Sequence, residues 1–297
     1  MMRVIRTLHN ILNHPLTTSA KWAAFKRYIR WQIGGRLTLG PTLVPFVNDT
    51  RLLVALGDAG ATGDIYTGLY EYCDCAFLLH LLRPSDLFVD IGANVGVYTV
   101  LASGVIGAHT ISIEPIPLTY AKLTSNIHIN NITDRVTSYN IGLGRANDTL
   151  RFTADLDCYN HVVIDSTVCG RMIEVPVRTL VEVLERRLPT LIKIDVEGWE
   201  AEVLAGAEAA LGHQSLLGLI VEMNSGEKDL SPNERVVHNC LTNHGFRPYT
   251  YEPFMRRLSS LTTKNINGGN TIYLRNIKSI EERLMTAAPF RVNGREI

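Results

Sequence analysis

A glycine-rich turn after a short apolar run is the first place in this sequence where residue types and spacing suggest chemistry. The run 87–89 and Asp90 have the pattern of a buried strand, and helical spacing begins at Val97. Between them, Gly92 and Gly96 allow a tight turn, while the first N–H groups of the following helix face the same space. We predict that this strand–turn–helix unit binds part of a nucleotide-like cofactor.

The charge and spacing of this turn narrow the choice of cofactor. Asp90 at the strand end suits an ammonium or hydroxyl group and repels a pyrophosphate. A dinucleotide fingerprint is Gly-x-Gly-x-x-Gly, whereas this turn carries Gly92, Asn94 and Gly96. Glu114 ends the next predicted strand, 22 residues after Gly92, where a carboxylate can accept the ribose hydroxyl hydrogen bonds. These features favour S-adenosylmethionine (SAM) over the alternative, a nicotinamide dinucleotide.

An acidic motif after a later strand supplies candidates for a catalytic base. The apolar segment 191–194 is followed by Asp195-Val-Glu197. A weakly acidic group that reacts as a nucleophile must lose its proton, and a carboxylate placed beside it can take that proton. We predict Asp195 as the first candidate and Glu197 as the second. Lys193 shares a strand face with Asp195, which would hold Asp195 ionised but weaken it as a base.

These acids also have two other interpretations, as structural residues and as metal ligands. Glu197 is also typical of an acid at the first turn of a helix, where it faces the helix dipole. Glu222 and Asn224 end a neighbouring predicted strand and, with Asp195, would offer oxygen ligands to Mg²⁺. Strand-end groups of this kind are more often held by hydrogen bonds, so we predict no metal site and keep a divalent ion as the less favoured alternative.

The elements from residue 71 onward alternate between strands and helices. Strands are predicted at 87–90, 110–113, 136–140, 191–194, 217–221, 246–251 and 270–275. This alternation predicts an α/β fold with a doubly wound, Rossmann-like sheet, whose ligand crevice lies outside the carboxyl ends of the strands. Asn140 ends the third strand, where an adenine ring would bind. The β-prone segments within 149–177 predict a hairpin inserted over the sheet edge.

Residues 1–70 predict an extension in front of this domain, which we place at 71–297. Before Asp49 the chain has seven Lys or Arg residues and no acid. Apolar residues recur there at helical spacing, at Trp22, Phe25, Ile29 and Ile33. A basic amphipathic helix in 1–36 either contacts an anionic membrane or a lipid-linked substrate, or packs on its own domain with a solvated basic face.

Two further segments complete the extension. Residues 39–56 predict an antiparallel strand pair. Residues 57–68 predict a Gly-rich loop that leads to Glu71, and this loop either closes over a ligand or covers the edge of the core. We include Glu71 among the predicted cofactor contacts.

Composition excludes several classes of protein. A formal net charge of +0 and a pI near 7.1 argue against a nucleic-acid-binding surface. Five cysteines without a common zinc spacing favour a reducing compartment. The sequence shows neither a signal-peptide pattern nor an uncharged run long enough to span a bilayer, so we expect a cytoplasmic protein, in contact with the membrane only peripherally.

Three motifs together resemble the FkbM family of SAM-dependent methyltransferases. They are Asp90-Ile-Gly-Ala-Asn-Val-Gly, Glu114-Pro-Ile-Pro and Leu191-Ile-Lys-Ile-Asp-Val-Glu-Gly-Trp-Glu. The resemblance covers about residues 71–275, and residues 14–71 are similar to the leader of bacterial members associated with polysaccharide and glycolipid synthesis.

The resemblance implies a class I methyltransferase fold, with seven strands of which the last is antiparallel. It further implies methyl transfer to a hydroxyl, commonly on a sugar in a glycan or glycolipid. The first motif then matches the loop at the methionine end of SAM, Glu114 the ribose contact, and Asp195, Glu197 and Glu200 the family's acidic motif. A nicotinamide-dependent oxidoreductase and a noncatalytic SAM-binding protein are the alternatives, and the oligomeric state is left open.

Overall fold

The computed structural model describes residues 2–38, 40–153, 161–162, 171–225 and 228–297. The helices are α1 (Met2–Asn13), α2 (Lys21–Leu37), α3 (Ala59–Thr67), α4 (Tyr72–Leu81), α5 (Val97–Thr99, continued by a π-helix, Val100–Ile106), α6 (Pro117–Ile129), α7 (Leu180–Leu184), α8 (Glu200–Ala205), α9 (Glu208–Gly212), α10 (Pro232–Asn243) and α11 (Ile277–Thr286). The strands are β1 (Thr42–Pro45), β2 (Arg51–Val54), β3 (Leu87–Ile91), β4 (His109–Ile113), β5 (Val136–Tyr139), β6 (Gly142–Leu143), β7 (Asp148–Thr153), β8 (Met172–Arg178), β9 (Leu191–Ile194), β10 (Gly218–Glu222), β11 (Arg247–Glu252), β12 (Arg257–Ser260), β13 (Asn270–Leu274), β14 (Arg291–Val292) and β15 (Arg295–Glu296).

An eight-stranded sheet forms the centre of the described part of the chain. Its order is β12-β11-β13-β10-β9-β3-β4-β5. The five strands from β10 to β5 are parallel, and β13 is antiparallel to both of its neighbours. This confirms the predicted doubly wound sheet with an antiparallel last strand, to which β12 adds an eighth strand paired with β11. The chain order reverses between β3 and β9, so the crevice opens there, at the carboxyl ends of the strands.

Two hydrophobic layers cover the faces of the sheet. Successive residues of a strand point to opposite faces, and in β3 Phe88 joins one layer while Val89 joins the other. The layer of Phe88 is completed by residues of α1, α2, α4, the π-helix, α6 and α11. The layer of Val89 is completed by α7, α8, α9 and α10. Because both faces of the sheet are buried, β3 and β9 are apolar apart from Asp90 and Lys193.

The basic segment at the start of the chain forms two helices, not one. Helix α1 ends at Asn13, and α2 begins after the turn that contains Pro15. The face of α2 that packs on the core consists of Ala24, Tyr28 and Trp31. The apolar residues that the sequence had suggested as the packing stripe lie elsewhere: Trp22, Ile29 and Ile33 are exposed. Helix α2 therefore carries two apolar faces, of which one meets the core.

The prediction of a loop at 57–68 is wrong. Residues Ala59–Thr67 form α3, which ends at Gly68 with φ of +103°. Helix α3 packs against α2 and β2, so packing stabilises a helix in a segment whose glycines and polar residues disfavour one locally. The strand pair expected at 39–56 is present as β1 and β2, which are antiparallel.

Strands β6, β7 and β8, within residues 142–178, form a small second sheet. Strands β7 and β8 pair antiparallel from Asp148 opposite Val177 to Thr153 opposite Met172, and β6 joins β8. The polar middle of the predicted hairpin, at 155–160, lies outside the described residues.

Candidate functional site

A cavity of about 1110 Å³ opens at the carboxyl ends of β3, β4, β9 and β10. The glycine-rich turn of 92–96, Glu114 and the acidic motif at 195–197 all line it. Its outer walls come from the end of α1, from β11 and β12, and from residues 265–270. The sequence motifs singled out for chemistry thus share one cavity.

Gly92 joins the turn to the acidic motif by a close backbone approach. Its φ is +76°, and a Cβ atom placed on it would lie 1.8 Å from the backbone oxygen of Asp195. Any other residue would force these two segments apart. Gly96, with φ of +91°, precedes α5, so the first N–H groups of that helix follow directly on the turn.

Glu114 is fixed beside the same turn. One carboxylate oxygen accepts the N–H of Asn94 and the other accepts that of Ile116, each at 2.9 Å. Burial raises the pKa of Glu114 to about 7, although these two N–H bonds act to lower it. Each oxygen retains a lone pair for a ligand hydroxyl. The carboxylate therefore has the position and the acceptor capacity that the sequence predicts for a ribose contact.

Asn140 holds the backbone at Glu114 in place. Its side-chain amide donates to the backbone oxygens of Glu114, at 2.8 Å, and of Pro115, at 2.9 Å. The cavity wall beside it is formed by Ile141 and Gly142. The structure thus gives Asn140 a positioning task, and its predicted contact with an adenine ring stays a prediction.

Asp90 lies at the end of β3, in front of the turn. It is 1% exposed, and its Oδ2 accepts a hydrogen bond from Thr99 at 2.7 Å. Its Oδ1 is buried and has no hydrogen-bond partner within the described ranges. Burial raises the pKa of Asp90, while the charge of Lys193 opposes the rise. Asp90 lies behind the cavity wall, which its neighbours Ile91 and Gly92 form.

Lys193 is paired with Asp195, as the strand alternation predicts. The ammonium nitrogen is 2.5 Å from Asp195 Oδ2 and 4.8 Å from the centre of the Tyr98 ring. Burial alone would lower the pKa of Lys193, but the carboxylates around it, led by Asp195, raise it overall. Lys193 therefore stays charged, and it restrains Asp195 in one orientation.

Three carboxylates meet at the floor of the cavity. Asp195, Glu197 and Glu222 each bring an oxygen within 4.8 Å of the others. Burial, with the charge of Asp195 next, raises the pKa of Glu197 to about 7 and that of Glu222 to about 9. Both carboxyl groups therefore hold a proton more readily than a glutamic acid in water does. Glu197 also has a φ of +50°, a strained conformation for a non-glycine residue.

These oxygens are the kind that Mg²⁺ prefers, but their charge is already reduced. Lys193 neutralises Asp195, and the raised pKa of Glu222 favours its uncharged form. The structure adds Glu197 to the ligands considered from the sequence, and the expectation of no metal stays a prediction.

Glu200 and Trp199, which follow in the same motif, have different surroundings. Glu200 is 3% exposed, accepts the N–H of Gly198 at 2.9 Å and is bonded by Asn233 at 3.1 Å. It closes the turn before α8. Trp199 lines the cavity, and its indole N–H is buried with no partner in the part of the chain that is described.

Glu71 belongs to a second acidic group that sequence reasoning found only in part. Its two oxygens accept bonds from Tyr98, at 2.9 Å, and from Asn270, at 3.0 Å. Asn270 also donates to Asp74, and burial raises the pKa of Asp74 to about 7. Asp64 lies in the same wall, with a pKa raised by burial to about 8. The spacing of Glu71 and Asp74, three residues apart at the start of a helix, was the available signal.

The order β5-β4-β3-β9-β10-β13-β11, with β13 antiparallel and a glycine turn after β3, defines a class I methyltransferase fold. Residues 90–248 match the methyltransferase FkbM domain. The chain belongs to the FkbM methyltransferase family, which confirms the resemblance drawn from the three motifs.

Two curated relatives match half of the chain. Hexuronic acid methyltransferase AglP of Haloferax volcanii is 31% identical over 150 residues, which cover 50% of this chain and 60% of AglP. Methyltransferase 1 of Beauveria bassiana is 27% identical over 174 residues, which cover 50% of this chain and 69% of that protein. The aligned part thus spans less than two thirds of AglP. The crystal structure of P. horikoshii TYW2 in complex with MeSAdo aligns with 80% of this chain and 70% of that chain, at a TM-score of 0.40 and 16% identity.

Proposed function

We propose that this protein transfers the methyl group of SAM to a hydroxyl of a sugar in a glycan, glycolipid or related metabolite. The observation that carries the proposal is that the glycine turn, Glu114 and the Asp195–Glu197 motif share one cavity. Membership of the FkbM family favours methyl transfer over a nicotinamide-dependent reaction.

The residues around the turn fit SAM. The turn after β3 lines the cavity and offers its backbone to the methionine end of the cofactor, and Asp90, buried directly before the turn, places a carboxyl group behind that end. Glu114 accepts the ribose hydroxyls through the lone pairs that Asn94 and Ile116 leave open. When bound, SAM supplies an electrophilic methyl carbon on a positively charged sulfur.

Glu197 is the better placed of the two base candidates. Bound SAM would offer its methyl carbon to the acceptor oxygen, with the sulfur leaving with the electron pair of the broken bond, and the hydroxyl proton would pass to a carboxylate of the site. Asp195 is held by Lys193 at 2.5 Å, which favours an orienting role for its second oxygen. Glu197, with a pKa of about 7, accepts a proton readily at neutral pH. We therefore assign proton removal to Glu197 and orientation of the acceptor to Asp195.

The chemistry of the cavity wall suits a hydroxylated acceptor. Carboxylates and amides line the part of the cavity beyond the turn, among them Asp74, Glu252, Asn267 and Asn270. Such groups accept and donate hydrogen bonds to hydroxyls. The relative AglP is named a hexuronic acid methyltransferase, which supports a sugar as the acceptor class.

Mass spectrometry of cell extracts tests this proposal. Glycolipids and polysaccharides from cells with and without the gene are compared, and we expect a species heavier by the mass of one CH₂ group only where the gene is present. Methylated RNA or DNA in place of a methylated sugar would contradict the acceptor class.

Two substitutions test the assignment of the acids. We expect Asp195→Asn and Glu197→Gln each to keep SAM binding, as measured by calorimetry. We expect Glu197→Gln to lower the yield of methylated product about 10²- to 10⁴-fold. The exposed Glu282 on α11, changed to Gln, is the matched control. Unchanged product with Glu197→Gln would remove Glu197 from the mechanism. Binding of NAD instead of SAM, or SAM binding without product on any hydroxylated acceptor, would favour the alternatives.

A further inference from the structure

Helix α2 presents a second apolar face to solvent. Trp22, Ile29 and Ile33 are spaced by seven and four residues, so they lie along one side of the helix. Their exposed fractions are 66%, 38% and 57%, and Leu37 beyond them is 78% exposed. Four large apolar residues in one row are more than the isolated surface residues of an ordinary soluble domain.

This stripe lies opposite the face that holds α2 to the protein. The core side of the helix consists of Ala24, Tyr28 and Trp31, again at spacings of four and three residues. The 17 residues of α2 make a rod about 25 Å long at about 1.5 Å per residue. Its outer apolar row can therefore meet a flat partner without unpacking the helix.

Two basic residues share this side of α2 with the stripe. Lys26 is four residues after Trp22 and lies in the same row, and Arg30 lies beside that row; both are exposed. The ammonium of Lys26 lies 5.6 Å from the centre of the Trp22 ring, which stacks on Phe25 at 5.5 Å. The first acid of the chain is Asp49, so no carboxylate of this segment offsets that charge.

We propose that α2 docks the protein on an anionic lipid bilayer, with Trp22, Ile29 and Ile33 inserted at the level of the headgroups. Apolar and aromatic residues on one side with Lys and Arg beside them are the composition of interfacial helices. A second copy of this chain would set the same basic residues against each other, because the face is positively charged along its length. Charge complementarity therefore selects an anionic surface.

Helix α2 is connected to the cavity through α1. Helix α1 packs against α2, and His9 and Asn13 of α1, with His14 just after it, contribute to the cavity wall. The docking itself does not depend on the methyl-transfer proposal, because its test measures vesicle binding alone.

Co-sedimentation of the full-length protein with vesicles tests the docking. We expect binding to phosphatidylcholine vesicles that contain phosphatidylglycerol, weak binding to phosphatidylcholine alone, and release on addition of salt. Each basic residue near such a surface strengthens binding about fivefold, so the double variant Lys26→Glu/Arg30→Glu should bind at least about 25-fold more weakly. The control variant Lys278→Glu/Arg291→Glu changes the same charge on exposed sites elsewhere and should bind as the parent does.

A second variant isolates the apolar stripe. Trp22→Ser/Ile33→Ser should lose most of the binding, while Met285→Ser/Val236→Ser, at residues 66% and 56% exposed, should not. Trp22 fluorescence gives an independent signal: we expect a blue shift with anionic vesicles that Trp22→Phe abolishes while its binding persists.

Three results would overturn the proposal. One is equal binding to neutral and anionic vesicles. Another is equal loss of binding in the test and control variants. The third is a dimer in vesicle-free sedimentation that Trp22→Ser/Ile33→Ser dissociates, which would assign the face to a second copy of the chain.

Discussion

Glu114 makes SAM binding depend on pH in a way that one substitution can isolate. In the ligand-free protein its pKa is raised by burial to about 7. A ribose contact requires the ionised carboxylate, which accepts hydrogen bonds from both hydroxyls. SAM binding should therefore expel the proton that Glu114 carries at lower pH, and the affinity should rise as the pH rises.

The size of the effect follows from the pKa. If only the ionised form binds, the dissociation constant exceeds its high-pH limit about elevenfold at pH 6, about twofold at pH 7 and hardly at all at pH 8, for a pKa near 7. We therefore expect SAM to bind about tenfold more tightly at pH 8 than at pH 6. At pH 7 Glu114 should release about half a proton per SAM bound.

Calorimetry in buffers of different ionisation enthalpy measures both quantities. Glu114→Gln should bind SAM about 10- to 100-fold more weakly, since hydrogen bonds to a charged group contribute roughly 1.5–3 kcal/mol. It should also lose the pH dependence that Glu114 causes. Glu282→Gln, on an exposed helix, is the control. Parent and Glu114→Gln proteins with the same slope of affinity against pH would refute the argument, because the proton would then belong to another group of the cavity.

Three further predictions concern the turn, the acids and the metal. Gly92→Ala should lower the free energy of unfolding by at least about 2 kcal/mol and abolish SAM binding, because it adds a positive-φ penalty to a clash with the Asp195 carbonyl. Chemical denaturation measures the loss, with Gly212→Ala, where a Cβ atom meets open space, as the control. Equal stability of the two variants would contradict this prediction. Asp64 and Glu222 have folded-state pKa values of about 8 and 9, above their unfolded values, so the stability that they contribute at low pH is lost as the pH rises toward these folded-state values. The Tm of the SAM-free protein should therefore fall between pH 6 and pH 9. A rise in Tm would contradict the assignment. Methylated product should form equally well after treatment with EDTA, because Lys193 already neutralises Asp195; loss of product restored by Mg²⁺ would show a metal site.

Parts of the site that are formed by residues close together in the chain could be predicted from the sequence. The strand Leu191–Ile194 was predicted with its observed bounds, because a short apolar run ending in acids has few alternatives in an alternating α/β pattern. The turn after β3 could be predicted equally well, because Gly92 and Gly96 are the residues that take positive φ values most readily, and both do so in the structure. The pairing of Lys193 with Asp195 followed from strand alternation.

Features that depend on distant contacts could not be predicted in the same way. Glu71 meets Asn270 across 199 positions of the chain, and no local pattern encodes that contact. The segment Ala59–Thr67 is helical because α2 and β2 pack on it, against its own weak propensity. Helix α2 has apolar residues on two faces, and periodicity does not say which of them the core takes.

The close approach of Gly92 to Asp195 also bears on how new acceptors are acquired. Under the proposed function, the loop beside the methyl donor and the acids beside the acceptor hydroxyl are in backbone contact, so a shift of one would disturb the other. Changes that alter the acceptor should then fall on α1 and β12, which line the cavity away from this contact. Exchanging these two segments between family members should change which saccharide is methylated while the proposed reaction chemistry is retained.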